Sequence, residues 1–363
     1  MTPGAPELRD TLNRFVDPLI GQGLVDAGAV AHLELQGERA QLEIELGFPA
    51  RGYAADLRKR LQQHLQDAHG MACDIEVRWR IHSQAVQNNL QPMAQIRNII
   101  AVASGKGGVG KSTVAANFAL ALQAQGARVG MLDADIYGPS QPAMLGVADQ
   151  RPATPAQGQM MTPVMAHGLQ VSSIGFLVDP ETPTIWRGPM VSQALTQLIS
   201  GTAWDDLDYL VIDLPPGTGD VQLSLSQRIP VSGAIIVTTP QDIALLDARK
   251  GLEMFRKVQV PVLGVIENMA FHRCGNCGEV SHIFGEGGGQ RLADATGVPV
   301  LGHLPLDAAI QQAADAGHPT VLADPDSENA RAYRDIARRT AAGLAGRVQG
   351  QGARFPEIVI LDD

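Results

Sequence analysis

The segment from Gly105 to Thr113 reads Gly-Lys-Gly-Gly-Val-Gly-Lys-Ser-Thr, a glycine-rich loop with two lysines. In such a loop the backbone N–H groups surround a β-phosphate, the later lysine contacts the β and γ oxygens, and the next hydroxyl ligates Mg²⁺. Lys111 and Ser112 occupy these positions, so the loop predicts binding of a nucleoside triphosphate with Mg²⁺. The alternative is a chance glycine-rich turn. The residues expected to bind the nucleotide are Gly105, Lys106, Gly107, Gly108, Val109, Gly110, Lys111, Ser112 and Thr113.

The first lysine of the loop, Lys106, is redundant for holding phosphates within one chain. We therefore expect Lys106 to take part in catalysis across an interface, by reaching the nucleotide of a partner chain. This interpretation predicts a homodimer with ATP bound between its subunits.

Two acidic motifs are expected to complete a hydrolysis site. Met131-Leu-Asp-Ala-Asp135 carries two carboxylates, one to bind or orient near Mg²⁺ and one to position the attacking water. We assign the water to Asp135, and an N-cap of the following turn is the alternative for Asp133. In Tyr209-Leu-Val-Ile-Asp-Leu-Pro-Pro-Gly-Thr-Gly-Asp220 an apolar run delivers Asp213 to the end of a strand, where it is predicted to hold a Mg²⁺-bound water. Gly217 would then sense the γ-phosphate in a switch loop, and a simple strand-end turn is the alternative.

The nucleotide base is expected beside Val265-Ile-Glu-Asn-Met269. The amide of Asn268 offers adenine a paired donor and acceptor, although a structural asparagine is the alternative. The chain contains no Asn-Lys-x-Asp motif of the kind that reads guanine, so we expect ATP rather than GTP.

A Cys-x-x-Cys pair, Cys274 and Cys277, follows directly. Two thiolates at this spacing are half of a tetrahedral thiolate site for zinc or an iron–sulfur cluster. A two-fold dimer would bring two such pairs together around a bridging [4Fe–4S] cluster, and Cys73 is expected to be an ordinary buried thiol. Two alternatives stay open: a redox dithiol, and a zinc site within one chain built from His272, Cys274, Cys277 and His282.

The apolar pattern indicates the elements that position these residues. Apolar runs at residues 98–104, 128–132, 209–214, 234–238, 260–266 and 298–304 alternate with helical patterns. They predict an α/β fold with a doubly wound, mostly parallel sheet over residues 98–345, with ligands at the carboxyl ends of the strands. A small α+β domain is predicted over residues 1–83, with a helix over 8–20. A polar linker at 84–97 and a C-terminal tail at 346–363 complete the prediction.

Composition limits the class of protein. The 363 residues suffice for two domains, and the net charge of -10 argues against a protein that mainly grips nucleic acid. The sequence shows no secretory signal pattern and no apolar run long enough to span a bilayer, so we expect a cytoplasmic protein without a nucleic-acid or membrane partner.

Together these motifs resemble the Mrp/ApbC-type iron–sulfur cluster carrier ATPases, within the deviant Walker A class that includes MinD, ParA and the nitrogenase iron protein. The resemblance covers about residues 98 to 319 and includes the segments at 133–140, 186–190, 213–220, 267–269, 283–285 and 304–307 with the cysteine pair. Residues 8–82 are similar to the small iron–sulfur-assembly domain that precedes the ATPase in many bacterial members. Many members have proline after the first cysteine, where this chain has Gly275.

The resemblance implies an ATP-hydrolysing homodimer that binds a labile [4Fe–4S] cluster and passes it to apoproteins. The rivals are a MinD/ParA-like positioning ATPase, a cluster-dependent reductase and an ATPase with a structural zinc site. The acidic C-terminus, without helical charge segregation, disfavours the first, and the close spacing of the cysteines disfavours the second.

Overall fold

The computed structural model describes residues 4–36, 39–84, 90–153, 160–177 and 188–352. It divides into two compact units, residues 85–340 and residues 1–84 with 341–363. This division groups the end of the last helix, from Ala341, with the small unit, whereas the sequence prediction assigned residues up to 345 to the ATPase domain. Part of the predicted linker (85–89), part of the tail (353–363) and residues 186–187 of the family motif lie outside the described residues.

The small unit contains a three-stranded sheet and two helices. Its elements are α1 (Ala5–Arg14), β1 (Val30–Gln36), β2 (Arg39–Leu46), α2 (Ala54–His69) and β3 (Ala72–Trp79). Strand β2 pairs antiparallel with β1 and parallel with β3. Buried leucine and isoleucine side chains alternate along β2 and recur every four residues along α2, as the sequence pattern predicts.

Helix α1 ends at Arg14, whereas the sequence pattern predicted a helix that continues to Ile20. Pro18 disfavours helical backbone at the residue before it, Asp17. The Asp17 carboxylate instead accepts the backbone N–H groups of Leu19, at 2.9 Å, and Ile20, at 3.3 Å, and starts a separate turn.

The large unit alternates strands and helices. Its elements are β4 (Ile96–Ala103), α3 (Lys111–Ala124), β5 (Val129–Asp133), α4 (Gln141–Met144), β6 (Val164–Ala166), β7 (Leu169–Ser173), α5 (Gly188–Gly201), β8 (Leu207–Asp213), α6 (Asp220–Arg228), β9 (Gly233–Thr238), α7 (Asp242–Lys257), β10 (Val262–Arg273), β11 (Val280–Ser281), α8 (Gly288–Thr296), β12 (Val300–Pro305), α9 (Ala308–Asp315), α10 (Thr320–Ala323) and α11 (Glu328–Gly352). The end of α11 is the part grouped with the small unit.

These strands form a nine-stranded sheet in the order β11-β10-β9-β4-β8-β5-β7-β6, with β12 also pairing with β10. All pairs are parallel except β6 with β7 and β10 with β11. Every residue of β5, β8 and β9 is buried, which is typical of parallel strands covered on both faces. The predicted α/β class with a mostly parallel sheet is confirmed.

Strand β10 is longer than the apolar run from which it was predicted. The run ends at Ile266, but the strand continues to Arg273, because its last residues pair antiparallel with β11. In the described part of the chain, no helix combines the length and the apolar character needed to cross a membrane.

Candidate active site and cysteine hairpin

The glycine-rich loop and both acidic motifs meet at one edge of the sheet. Strand β8 lies between β4 and β5, and its last residue, Asp213, pairs with Val102 of β4 and with Asp133 of β5. The two aspartates therefore lie side by side where β4 enters the loop. Parallel strands expose their carboxyl ends at a common edge, which is where ligands of such sheets bind.

The loop connects β4 directly to α3, which begins at Lys111. The N-terminus of α3 thus presents unpaired N–H groups and a partial positive charge to the site, as phosphate binding requires. Gly110 is the N-cap residue and has a φ of 79°, in the left-handed region that favours glycine.

Lys111 and Asp213 form a buried ion pair at the centre of the site, with 6% and 0% of their side chains exposed. The ammonium also donates to Ser112 Oγ at 3.3 Å. Gln141 Nε2 donates to Asp213 Oδ2 at 2.8 Å and to the Ser112 carbonyl oxygen at 3.0 Å. The predicted phosphate-binding lysine, hydroxyl and acidic residue are therefore in direct contact.

The two carboxylates of the Asp-Ala-Asp motif have different surroundings. Asp133 is fully buried and accepts the backbone N–H groups of Asp135, Ser140 and Gln141 at 2.9–3.2 Å. Burial, together with the nearby charge of Asp213, raises the pKa of Asp133. These bonds match the capping alternative, because Asp133 holds the turn that leads into α4.

Asp135 is half-buried and is the more accessible of the pair. Burial raises the pKa of Asp135, and the positive charge of Lys111 opposes that shift. Its assignment to the attacking water stays a prediction.

Gln141 is a site residue that the sequence analysis missed. The only local signal is its position after Pro139-Ser140, at the start of a four-residue helix. Two buried side-chain oxygens, Gln141 Oε1 and Ser140 Oγ, have no hydrogen-bond partner among the described residues, and the Gln141 amide contacts Asp213. The Gln141 amide oxygen, Ser112 Oγ and the Asp213 carboxylate belong to residues in mutual contact and are oxygen ligands of the kind that Mg²⁺ prefers, so the site fits this ion.

Two residues that were predicted to contact the nucleotide, Asn268 and Gly217, form hydrogen bonds within the chain. Asn268 is buried and its Nδ2 donates to the Val109 carbonyl oxygen at 2.8 Å, so this amide supports the glycine-rich loop. The backbone N–H of Gly217 donates to the Ser104 carbonyl oxygen at 3.0 Å, which places the Pro-Pro-Gly loop beside the glycine-rich loop. Reading of adenine by Asn268 and sensing of the γ-phosphate by Gly217 stay predictions.

Lys106 lies half-exposed at the start of the loop, where Ser104 Oγ donates to its carbonyl oxygen at 2.9 Å. Its ammonium has no carboxylate partner among the described residues. The predicted action of Lys106 on the nucleotide of a partner chain stays a prediction.

The cysteine pair lies on the cysteine hairpin, by which we mean residues 272–281 formed by the end of β10, the turn and β11. Within the turn, the Cys274 N–H donates to the Glu279 carbonyl oxygen and the Gly278 N–H to the Cys274 carbonyl oxygen, both at 2.9 Å. Backbone N–H groups of Cys277 and Asn276 lower the pKa of Cys274 by stabilising its thiolate. Because Cys274 is half-buried and Cys277 is exposed, both sulfurs are accessible to a metal.

The predicted zinc alternative lacks support in the described residues. His272 Nδ1 donates to the Leu306 carbonyl oxygen at 3.0 Å and His282 Nδ1 to the Ala270 carbonyl oxygen at 2.9 Å, bonds that by themselves do not prevent either ring from binding a metal through Nε2. Across the described ranges, no three His, Cys, Asp or Glu side chains are grouped as a metal site needs. Cys73 belongs to the small unit and is half-buried, and burial raises the pKa of its thiol.

Comparison with known families gives a match over each unit. Residues 95–341 match the family described as NUBPL iron-transfer P-loop NTPase. Residues 6–77 match the family described as iron-sulfur cluster assembly protein.

Individual relatives agree with these matches. The chain is 48% identical over 362 residues to an iron-sulfur cluster carrier protein from Haemophilus influenzae, covering 98% of this chain and 95% of that protein. A carrier protein of the same name from Pseudomonas fragi is 56% identical over 285 residues, covering 78% of this chain and 99% of the relative. Among solved structures, a nucleotide-binding protein from Archaeoglobus fulgidus in complex with ADP is similar, with a TM-score of 0.55 and 36% identity over 64% of this chain and 90% of that chain.

Proposed function

Because this chain belongs to the iron-transfer P-loop NTPase family and is an ATPase that serves as an iron–sulfur cluster carrier, we propose that it holds a labile [4Fe–4S] cluster between two copies of itself and passes it to apoproteins. ATP binding and hydrolysis accompany the transfer. The cluster is cargo, and the apo forms of iron–sulfur proteins are the partners.

The observation that carries the proposal is the accessible cysteine pair at the end of β10. Cys274 and Cys277 supply two ligands, and backbone N–H groups stabilise the Cys274 thiolate. A [4Fe–4S] cluster takes four cysteine ligands, so a second hairpin is required to complete the site. Free thiols persist in a reducing compartment, so we place the protein in the cytoplasm.

The ATPase chemistry follows from the residues around Lys111. The loop N–H groups and the Lys111 ammonium bind the phosphates, and a phosphate oxygen replaces Asp213 as a partner of that ammonium. Ser112 would ligate Mg²⁺ and Asp213 would hold a water bound to that ion, which would supply positive charge opposite the β- and γ-phosphates. Asp135 orients the attacking water, and Asp133 fixes the turn that carries Asp135. Asn268 contacts the adenine through the part of its amide that does not bond Val109.

The dimer follows from Lys106 as well as from the cysteines. Lys106 crosses to the nucleotide of the other subunit. A mixed dimer of Lys106→Ala and Lys111→Ala chains then contains one complete site, although each pure variant dimer has none. Recovery of ATP hydrolysis on mixing the two variants is the expected result. Equal inactivity of the mixed and pure dimers would show that Lys106 does not act across the interface.

The decisive experiment measures the cluster itself. Anaerobic reconstitution with iron and sulfide should give about one four-iron cluster per dimer, with the absorbance and Mössbauer spectrum of a [4Fe–4S] centre. Loaded protein should then activate an apo-enzyme that depends on such a cluster. Cys274→Ser and Cys277→Ser should each abolish loading and transfer, while ATP binding persists at the separate loop.

Cys73→Ser is the matched control, since this cysteine lies in the small unit, and it should leave loading and transfer unchanged. The competing zinc function predicts a different result. One tightly held zinc per chain, released by His272→Ala or His282→Ala, would overturn the shared cluster and with it the carrier role proposed here.

A further inference from the structure

Strand β10 passes from the nucleotide loop to the cysteine hairpin. Asn268, in its middle, contacts the glycine-rich loop, and Cys274 follows the last residue of the strand. A structural change at the nucleotide loop or at the cysteine hairpin therefore acts on the same short segment of backbone.

The contact with the loop is close. Asn268 is 7% exposed, and its Nδ2 donates to the Val109 carbonyl oxygen at 2.8 Å. A Cβ atom placed on Gly110 would overlap Asn268 Nδ2 and lie 3.7 Å from the Met269 methyl carbon. Movement of the loop around bound phosphates must therefore displace Asn268 or be limited by it.

The backbone beyond Asn268 is irregular. Met269 has a φ of 54°, in the left-handed region that non-glycine residues rarely adopt. Glu267 pairs with His303 and Phe271 with Pro305, so β10 has three residues where β12 has one. We call residues 268–270 the kink. Such strained segments persist only where their surroundings enforce them, and they concentrate at switching regions.

The kink is fixed on one side and linked to the hairpin on the other. Just before it, the buried Glu267 carboxylate accepts the Gly289 N–H at 2.7 Å and His303 Nδ1 at 2.7 Å. Within it, the Ala270 carbonyl oxygen accepts His282 Nδ1 at 2.9 Å, and His282 directly follows the return strand β11. A continuous series of contacts thus runs from Val109 through Asn268, Ala270 and His282 to the hairpin.

We propose that the kink couples nucleotide binding to cluster binding, with Asn268 and His282 as the positioning residues at its two ends. The inference rests on the proposed function, since it requires that both ligands bind. Neither residue ligates the cluster, and each acts through the hydrogen bond that it makes. The kink has two arrangements. The nucleotide and the cluster each bind more tightly to one arrangement than to the other.

The test measures a coupling factor, which is the ratio of the dissociation constants for a non-hydrolysable ATP analogue with and without a loaded [4Fe–4S] cluster. Thermodynamic linkage requires that the analogue change the affinity for the cluster by the same factor, and this affinity is measured by chelator competition. The wild-type protein should show a factor in the usual range of about 5- to 150-fold. In Asn268→Ala and in His282→Ala the factor should fall towards one, although cluster loading persists in both. Met269→Gly, which removes the backbone strain, should also lower the factor.

His272→Ala is the matched control. It removes the histidine at the start of the cysteine hairpin, which bonds Leu306 outside the kink, and should keep the wild-type factor. If Asn268→Ala no longer binds the analogue, His282→Ala decides the question, because its contact is remote from the loop. A wild-type factor of one, or a factor unchanged in His282→Ala and Met269→Gly, would overturn the coupling while leaving the carrier function intact. Failure of the wild-type protein to load a cluster would instead refute the proposed function.

Discussion

Alanine substitutions at two glycines of the phosphate loop separate backbone strain from a specific contact. Gly108 and Gly110 have φ angles of 82° and 79°, so Gly108→Ala and Gly110→Ala carry the same left-handed penalty of about 1–2 kcal/mol. Nothing lies within 4 Å of a Cβ atom built on Gly108, whereas one built on Gly110 overlaps the buried Asn268 amide.

The contact sets the difference between the two variants. To make room for the methyl group, Asn268 must leave the Val109 carbonyl oxygen, which loses this 2.8 Å hydrogen bond. An unsatisfied buried polar group costs about 1–3 kcal/mol. We therefore expect Gly110→Ala to lower the free energy of unfolding by about 2–5 kcal/mol and Gly108→Ala by only about 1–2 kcal/mol.

The assay is urea unfolding of both variants, with ATP-analogue affinity measured by calorimetry on the folded proteins. A double-mutant cycle with Asn268→Ala provides the control, because removing the amide makes space for the methyl group. The Gly110→Ala penalty should shrink by more than about 0.5 kcal/mol in that background, and the Gly108→Ala penalty should not change. Equal destabilisation by the two glycine variants, or additivity of Gly110→Ala with Asn268→Ala, would refute the reasoning.

Three further predictions concern single groups. Asp135→Asn should abolish ATP hydrolysis while ATP binding persists, and wild-type hydrolysis should fall on acidification at a pH above the ordinary aspartate range, since burial raises the pKa of Asp135; retained turnover in the variant would refute the water-positioning role. Iodoacetamide should alkylate Cys274 faster than Cys73 at neutral pH, because backbone N–H groups lower the pKa of Cys274 and burial raises that of Cys73; mass spectrometry showing the reverse order would contradict this. Asp17→Ala should destabilise the small unit by about 1–3 kcal/mol in urea unfolding, because it removes the buried acceptor of the Leu19 and Ile20 N–H groups and one carboxylate partner of Arg60; a loss below about 1 kcal/mol would show that solvent replaces the carboxylate.

The sequence by itself determined the features that depend on adjacent residues. The phosphate loop was predictable because its glycines, its lysine and its hydroxyl are consecutive, and because one strand and one helix flank it directly. The strands of the large sheet were predictable because parallel strands covered on both faces are continuously apolar. The extent of α1 was not predictable, because the helical apolar pattern continues past Arg14, where the helix ends.

Tertiary structure alone decided which of the polar residues act together. Gln141 meets Asp213 across 72 positions of the chain, and Asn268 meets the loop across 159. Such contacts depend on strand order and register, which place Asp133 beside Asp213 and β10 beside β9. A local pattern specifies that a strand is buried but not which strand it pairs with, so it could suggest an adenine contact for Asn268 but not its bond to Val109. The bond of His282 to Ala270 could not be predicted for a similar reason. It depends on how the chain after the cysteine hairpin packs against the kink, and the hydrophobic pattern of the sequence gives no sign of that kink.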